Sequence, residues 1–171
     1  SRRTYPLVVT QGDGNLGVKG KNFEMLFSIA GAGPASLKVN GTEWLWRAPR
    51  PAFWRASTDN DRGCGFPLRA AAWMAADVFV TYNGMKVLEA GPDCVKVQFQ
   101  FGIPTVPGAS AELVYTVEAQ GALRVDAVYH GVAGAPELPC FGVKFETFGP
   151  VTRTVWTGLS GETYPDRYKG G

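Results

Sequence analysis

The sequence predicts an all-β fold of antiparallel strands packed in two layers, with one short helix. Three observations carry this. Apolar residues alternate with polar ones over short runs, the period of a half-buried strand: Phe23, Met25, Phe27 and Ile29 against Asn22, Glu24 and Ser28, then Val95, Val97, Phe99 and Phe101 against Lys96, Gln98 and Gln100. Glycine (22) and proline (12) are abundant while 45% of the 171 residues are hydrophobic, a balance that fits many turns around a core and not a disordered chain. Only Pro67–Ala76 reads as helix, with proline in its first turn and alanine throughout. An alternating sheet needs a second sheet over its apolar face, so a β-sandwich is the economical architecture.

The elements follow in order, within a single domain spanning 1–171. Residues 1–14 read as a linker or an arriving strand in which Tyr5, Leu7 and Val9 alternate. After the strand at Phe23–Ile29, Gly31 to Pro34 turn the chain. Leu37 and Val39 run into Asn40-Gly41, a favoured pair for a two-residue hairpin, and Thr42 to Trp46 return. Beyond the helix, Val78, Val80 and Tyr82 lead to a second turn at Asn83-Gly84, and Met85 to Ala90 return. The strand at Val95–Phe101 is followed by a Pro-Gly loop from Ile103 to Ser110. Leu113, Tyr115 and Val117 pair with Leu123, Val125, Ala127 and Tyr129 across Gln120-Gly121. Phe141, Val143 and Phe145 form another strand, and Val151 to Trp156 the next.

Composition removes several functions. Net charge is +2 and no basic run exceeds two adjacent residues, so nothing supports a nucleic-acid or anionic-membrane footprint. Cys64, Cys94 and Cys140 are widely spaced, and His130 is the only histidine. A zinc site is therefore not expected, and reduced buried thiols are the simplest reading of the cysteines. No apolar run has membrane-spanning length, and the N-terminus lacks a signal-peptide core.

One stretch obeys neither period: Pro51-Ala52-Phe53-Trp54-Arg55-Ala56-Ser57-Thr58-Asp59-Asn60-Asp61-Arg62-Gly63. Burying Phe53 and Trp54 draws Arg55, Asp59, Asp61 and Arg62 towards a core or an interface, where charges must be paired. An arginine–carboxylate network is expected, with Asp59 or Asn60 capping a turn. A metal site is the sharper reading of Asp59-x-Asp61. Calcium loops, however, need a central glycine and a later glutamate that are not at the required spacing. Glycoside hydrolysis by a retaining route needs two carboxylates about 5–5.5 Å apart. Asp59 with Asp61, or Glu162 with Asp166, are the candidates, but competing arginines would hold Asp59 and Asp61 ionised and spoil a general acid. Trp44, Trp46 and Trp73 are candidates for stacking on a sugar ring, with core or interface packing as the alternative. His130 lies in a strand among apolar neighbours and reads as structural.

The run from Phe53 to Gly63 also resembles the signature opening the C-terminal small-chain domain, the fifth domain, of the large bacterial β-galactosidases of glycoside hydrolase family two. Those proteins carry proline where this chain has Ser57. Leu138-Pro139-Cys140-Phe141-Gly142-Val143 is similar to the family's Leu-Pro-x-x-Gly-Val. Trp156-Thr157-Gly158 followed by Glu162-Thr163-Tyr164-Pro165-Asp166-Arg167 resembles its Trp-x-Gly and Glu-Asn-Tyr-Pro-Asp-Arg. Here the Gly-Pro before the glutamate is missing, Leu159-Ser160-Gly161 is one residue shorter, and Thr163 replaces asparagine. The resemblance runs from about Val18 to the end, and the family domain continues beyond Gly171.

The resemblance implies a supersandwich similar to the galactose mutarotase fold, with some strands lying outside this chain and one sheet edge left open. It implies no catalytic residue here, because the family's two glutamates sit in a separate barrel domain. It implies no cofactor in this part, with Mg²⁺ and Na⁺ belonging to the parent's catalytic domain. The implied partner is the catalytic domain or large subunit of the same enzyme, in a homo-oligomeric parent that acts on β-galactosides in the cytoplasm, export being left open. Phe53, Trp54, Arg55, Asp59, Asn60, Asp61 and Arg62, together with Glu162, Tyr164, Asp166 and Arg167, are then an interdomain contact. The second expectation is a stand-alone carbohydrate-binding sandwich that uses the tryptophans.

Overall fold

The computed structural model describes residues 5–155 and residue 157. Chain order is β1 (Val8–Gln11), β2 (Asn15–Lys19), β3 (Phe23–Ser28), β4 (Gly33–Val39), β5 (Thr42–Glu43) and β6 (Leu45–Ala52). Three helices follow, α1 (Asp59–Gly63), α2 (Phe66–Arg69) and α3 (Ala71–Phe79). The chain continues as β7 (Thr81–Ala90), β8 (Cys94–Gly102), β9 (Ser110–Glu118), β10 (Leu123–His130) and β11 (Gly142–Thr147). β1 to β5 form one antiparallel sheet in sequence order. β7 to β10 form a second antiparallel meander, and β6 pairs with β11.

The two larger sheets face each other, as the alternation requires. β8 buries every second residue, Val95, Val97, Phe99 and Phe101, and β9 adds Leu113, Tyr115 and Val117. Across the layer lie Leu16 and Val18 of β2 and Met25 and Phe27 of β3. The rings of Phe27, Phe99 and Tyr115 meet at centroid separations of 6.1, 5.7 and 5.8 Å, tilted or edge-to-face as ring quadrupoles favour. This contact joins the layers. Burial also pushes the Tyr115 hydroxyl well above its usual range.

A second core closes one end. Phe53, Phe66, Ala70, Trp73 and Ala76 pack on Ile103, Val106, Ala109 and Ala111. Phe53 lies 5.7 Å from Trp73 and 5.7 Å from Phe141, stacked on the latter. The Trp73 indole N–H donates to the Pro136 carbonyl at 3.0 Å, which satisfies the one polar atom of a fully buried ring.

Several expectations need correction. The expected single helix at Pro67–Ala76 is two short ones, because the chain breaks at Ala70 (φ −100, ψ 14) and α3 extends to Phe79, and α1 adds an unexpected third in the motif before it. Val78 therefore lies in a helix. Asn83-Gly84 is not a hairpin turn: β7 runs through it, and the register slips between Tyr82 and Gly84, a β-bulge with Gly84 at φ +144. Val151–Val155 has no regular structure, and Trp156 lies outside the described residues. The initial segment does arrive as a strand, β1, pairing with β2. Asn40-Gly41 forms the expected turn, with both residues at positive φ (50 and 80).

Candidate functional site

The motif after β6 starts in the core and ends in solvent. Phe53 is fully buried, and its backbone N–H donates to Asp77 Oδ1 of α3 at 2.6 Å. Trp54 packs half-buried against the same core. From Arg55 onwards the chain turns outward. Thr58 is the N-cap of α1, in extended backbone. The Asp61 N–H donates to Thr58 Oγ1 at 3.2 Å, and the Thr58 N–H donates to Asp61 Oδ2 at 2.8 Å, a reciprocal capping box.

Asp61 also receives Arg55, whose Nη1 and Nη2 donate to Oδ2 and Oδ1 at 2.6 and 3.3 Å. One carboxylate thus fixes both the helix start and an arginine fork. Arg55 first, then the Thr58 backbone, hold the Asp61 carboxyl well below the usual range, and Arg55 is raised in return. Arg62 pairs with Asp59. Asn60 contributes its backbone carbonyl, which accepts from the Cys64 N–H at 3.1 Å.

Two parts of the expectation change. The caps are Thr58 and Asp61, not Asp59 or Asn60; side-chain oxygens reach the first-turn donors best from the residue before the helix. The charged network also lies outside the core, although the Asp61 side chain keeps only 15% of its exposure. No residue of α1 is buried, and the Asp59 and Arg62 side chains are 94% and 63% exposed. Phe53 ends the core-facing run, so the charges stand on the surface above it. Cys64 is likewise exposed, while Cys94 and Cys140 are half-buried; all three are free.

The tryptophans separate. Trp73 is completely buried, which overturns a sugar-stacking role for it: neither ring face is open. Trp44, in the break between β5 and β6, is 51% exposed and Trp46 is 58% exposed. The Trp46 ring meets Phe148 edge-to-face at 4.9 Å, so these two form an exposed aromatic patch. Glu162, Tyr164, Asp166 and Arg167 lie outside the described residues.

Asp59 and Asp61 do not fit a divalent cation, since each is occupied by an arginine. Among the described residues no group of three or more His, Cys, Asp or Glu side chains converges as a metal site would require. No helix there is long and apolar enough to cross a membrane. Sequence reasoning missed Asp77 and the Thr58 cap. The latter had a signal, since Thr58-x-x-Asp61 is a variant of the Ser/Thr-x-x-Glu box.

The fold and motif define a class: an antiparallel β-sandwich that presents a preformed, arginine-paired surface motif and an exposed aromatic patch. Residues 19–171 match the family described as "Beta galactosidase small chain", and the chain belongs to that family. It is 44% identical to the beta-galactosidase small subunit of Latilactobacillus sakei, an alignment covering 96% of this chain and 58% of that protein. It is 36% identical to a beta-galactosidase of Clostridium acetobutylicum (95% of this chain, 18% of that one). Identity to one of Streptococcus thermophilus is 35% (96% and 16%). The chain thus spans little more than half the length of the L. sakei relative and under a fifth of the other two.

Proposed function

We propose that the chain is the non-catalytic small-chain part of a β-galactosidase and that it docks on the catalytic part of the same enzyme. The observation carrying this is the surface motif at 53–63. Its charges are paired with one another, so they are preorganised without being chemically poised, and Phe53 roots them in the core. Rigid arginine and aromatic anchors are what protein interfaces favour. A general acid, by contrast, needs a carboxyl that holds its proton near working pH, which Arg55 prevents at Asp61.

On this reading the parent is a family-two glycosidase acting on terminal β-galactosides such as lactose, and any Mg²⁺ or Na⁺ belongs to its catalytic part. Homo-oligomer assembly, a cytoplasmic setting and the wider supersandwich belong to the same proposal, as does an interface role for Glu162, Tyr164, Asp166 and Arg167. Sugar stacking at Trp44 and Trp46 is the second reading, favoured by their exposure.

The test is sedimentation of the full chain with the separately expressed catalytic part, using the natural pair and Arg55→Ala. The pair should co-sediment, and the variant should associate at least about tenfold more weakly, the size of an interface hot spot. Undiminished association of the variant would remove the motif from the interface. Failure of the natural pair to associate would remove the reading itself.

A further inference from the structure

The outward face of the β7–β10 sheet is polar and holds a cavity of about 250 Å³ between the ends of its strands. Its floor is the Phe101–Ala111 cross-strand pair. Asn83, Gln100, Ser110, Glu112 and His130 line its walls. The register explains the convergence. Gln100 lies opposite Glu112, and Ser110 lies opposite His130, so side chains from three adjacent strands share one face.

Asn83 joins them through the bulge. The extra residue in β7 is Asn83 itself, unpaired between Tyr82 and Gly84. A bulge re-aims a side chain and occurs beside functional sites more often than elsewhere. The Asn83 amide lies over Gly102, where a Cβ would come within 3.1 Å of Asn83 Nδ2 and 2.7 Å of Thr81 Oγ1. Glycine at 102 therefore leaves the room that Asn83 occupies.

The Glu112 carboxylate is held at one oxygen, where Gln98 Nε2 donates to Oε2 at 2.7 Å, while the exposed His130 Nε2 lies 3.5 Å from Oε1. Gln98 thus orients the carboxylate, and its second oxygen has acceptor capacity left beside His130. Two amides, a hydroxyl, a carboxylate and an imidazole bring donors and acceptors to one cavity lining. Vicinal hydroxyls of a sugar ring present the same mixture. No lysine or arginine lines the cavity and a carboxylate does, which disfavours a phosphorylated or carboxylated ligand. The volume of about 250 Å³ lies just below the usual range for drug-sized ligands, about 300–1,000 Å³, which suits a ligand no larger than a monosaccharide.

We propose that this cavity is a binding site for a neutral hexopyranose, separate from the surface motif at 53–63 and from the exposed tryptophans. The inference does not rest on the docking proposed above.

The experiment is NMR titration of the isotope-labelled full chain with D-galactose and D-glucose, with mannitol as an acyclic polyol control. Saturable shifts should centre on Asn83, Gln100, Glu112 and His130. Asn83→Ala and Glu112→Gln should each weaken binding at least about fivefold, the effect of one lost hydrogen bond. Both side chains lie outside the core, and an unchanged thermal midpoint verifies the fold of each variant. Shifts confined to Trp44 and Trp46 would move sugar binding to the aromatic patch and overturn the assignment. Equal shifts with mannitol would overturn the preference for a ring, and no saturable shift with either hexose would overturn the site.

Discussion

Asp61 shows how one side chain converts a loop into a defined shape. Its carboxylate closes a capping box with Thr58 and holds the Arg55 guanidinium at two atoms. Its pKa is lowered in the folded state, so the carboxylate binds its proton less readily there than in the unfolded chain. Its contribution to stability is therefore complete above the ordinary aspartate pKa, about 4, and drains away as pH falls from there towards the lowered value. Urea melts should find Asp61→Asn less stable than the natural chain at neutral pH, with the gap narrowing steadily on acidification below about pH 4. A gap independent of pH would mean that the arginine pairing contributes nothing. The arginine–carboxylate pairing was legible from residue types alone. Its exposure was not, because Phe53 and Trp54 drew the reading inwards while the backbone turns outwards at Arg55.

Elements were legible where turn chemistry and period agreed. The hairpins at Asn40-Gly41 and Gln120-Gly121 form where glycine allows positive φ, and the β8–β9 core follows the alternation residue by residue. Asn83-Gly84 carried the same local signal and was overruled by pairing: β8 is nine residues long, and β7 runs beside it from end to end. β2 was missed because Gly17 interrupts a run in which only Leu16 and Val18 face inward. Val78 reads as strand by composition. It belongs instead to the last turn of α3, whose Trp73 and Ala76 are locked into the second core.

That core makes Trp73 a structural residue, and its removal should be expensive. Trp73→Ala should cost about 3–5 kcal/mol, the range for deleting a large buried aromatic. Trp73→Phe, which keeps an aromatic ring and loses the N–H bond to Pro136, should cost less. Urea denaturation of both variants checks this. A loss below about 0.5 kcal/mol for the alanine variant, the level typical of surface positions, would contradict the burial.

At the scale of the whole molecule, function was legible through chemistry that is present but not poised. The most charged segment is roped to itself by arginines, the fully buried tryptophan is a core staple, and exposed Trp44, Trp46, Phe145 and Phe148 lie in or beside β6 and β11. The row of Gln98, Gln100, Glu112 and His130 was invisible as a group, because the residues come from three strands and only register unites them. Alternation marked Gln98 and Gln100 as outward-facing, whereas His130 read as structural among apolar neighbours and is in fact 56% exposed; no sequence rule placed the four together.

On the proposed function, the sandwich completes a β-galactosidase without performing its chemistry. The most direct measurement is hydrolysis of a chromogenic β-galactoside by three preparations: the full chain alone, the catalytic part alone, and the two combined. The account predicts no turnover above background from the chain alone, and activity from the combination well above that of the catalytic part. Turnover by the chain alone that is abolished by Asp61→Asn, or a catalytic part equally active without the chain, would contradict it.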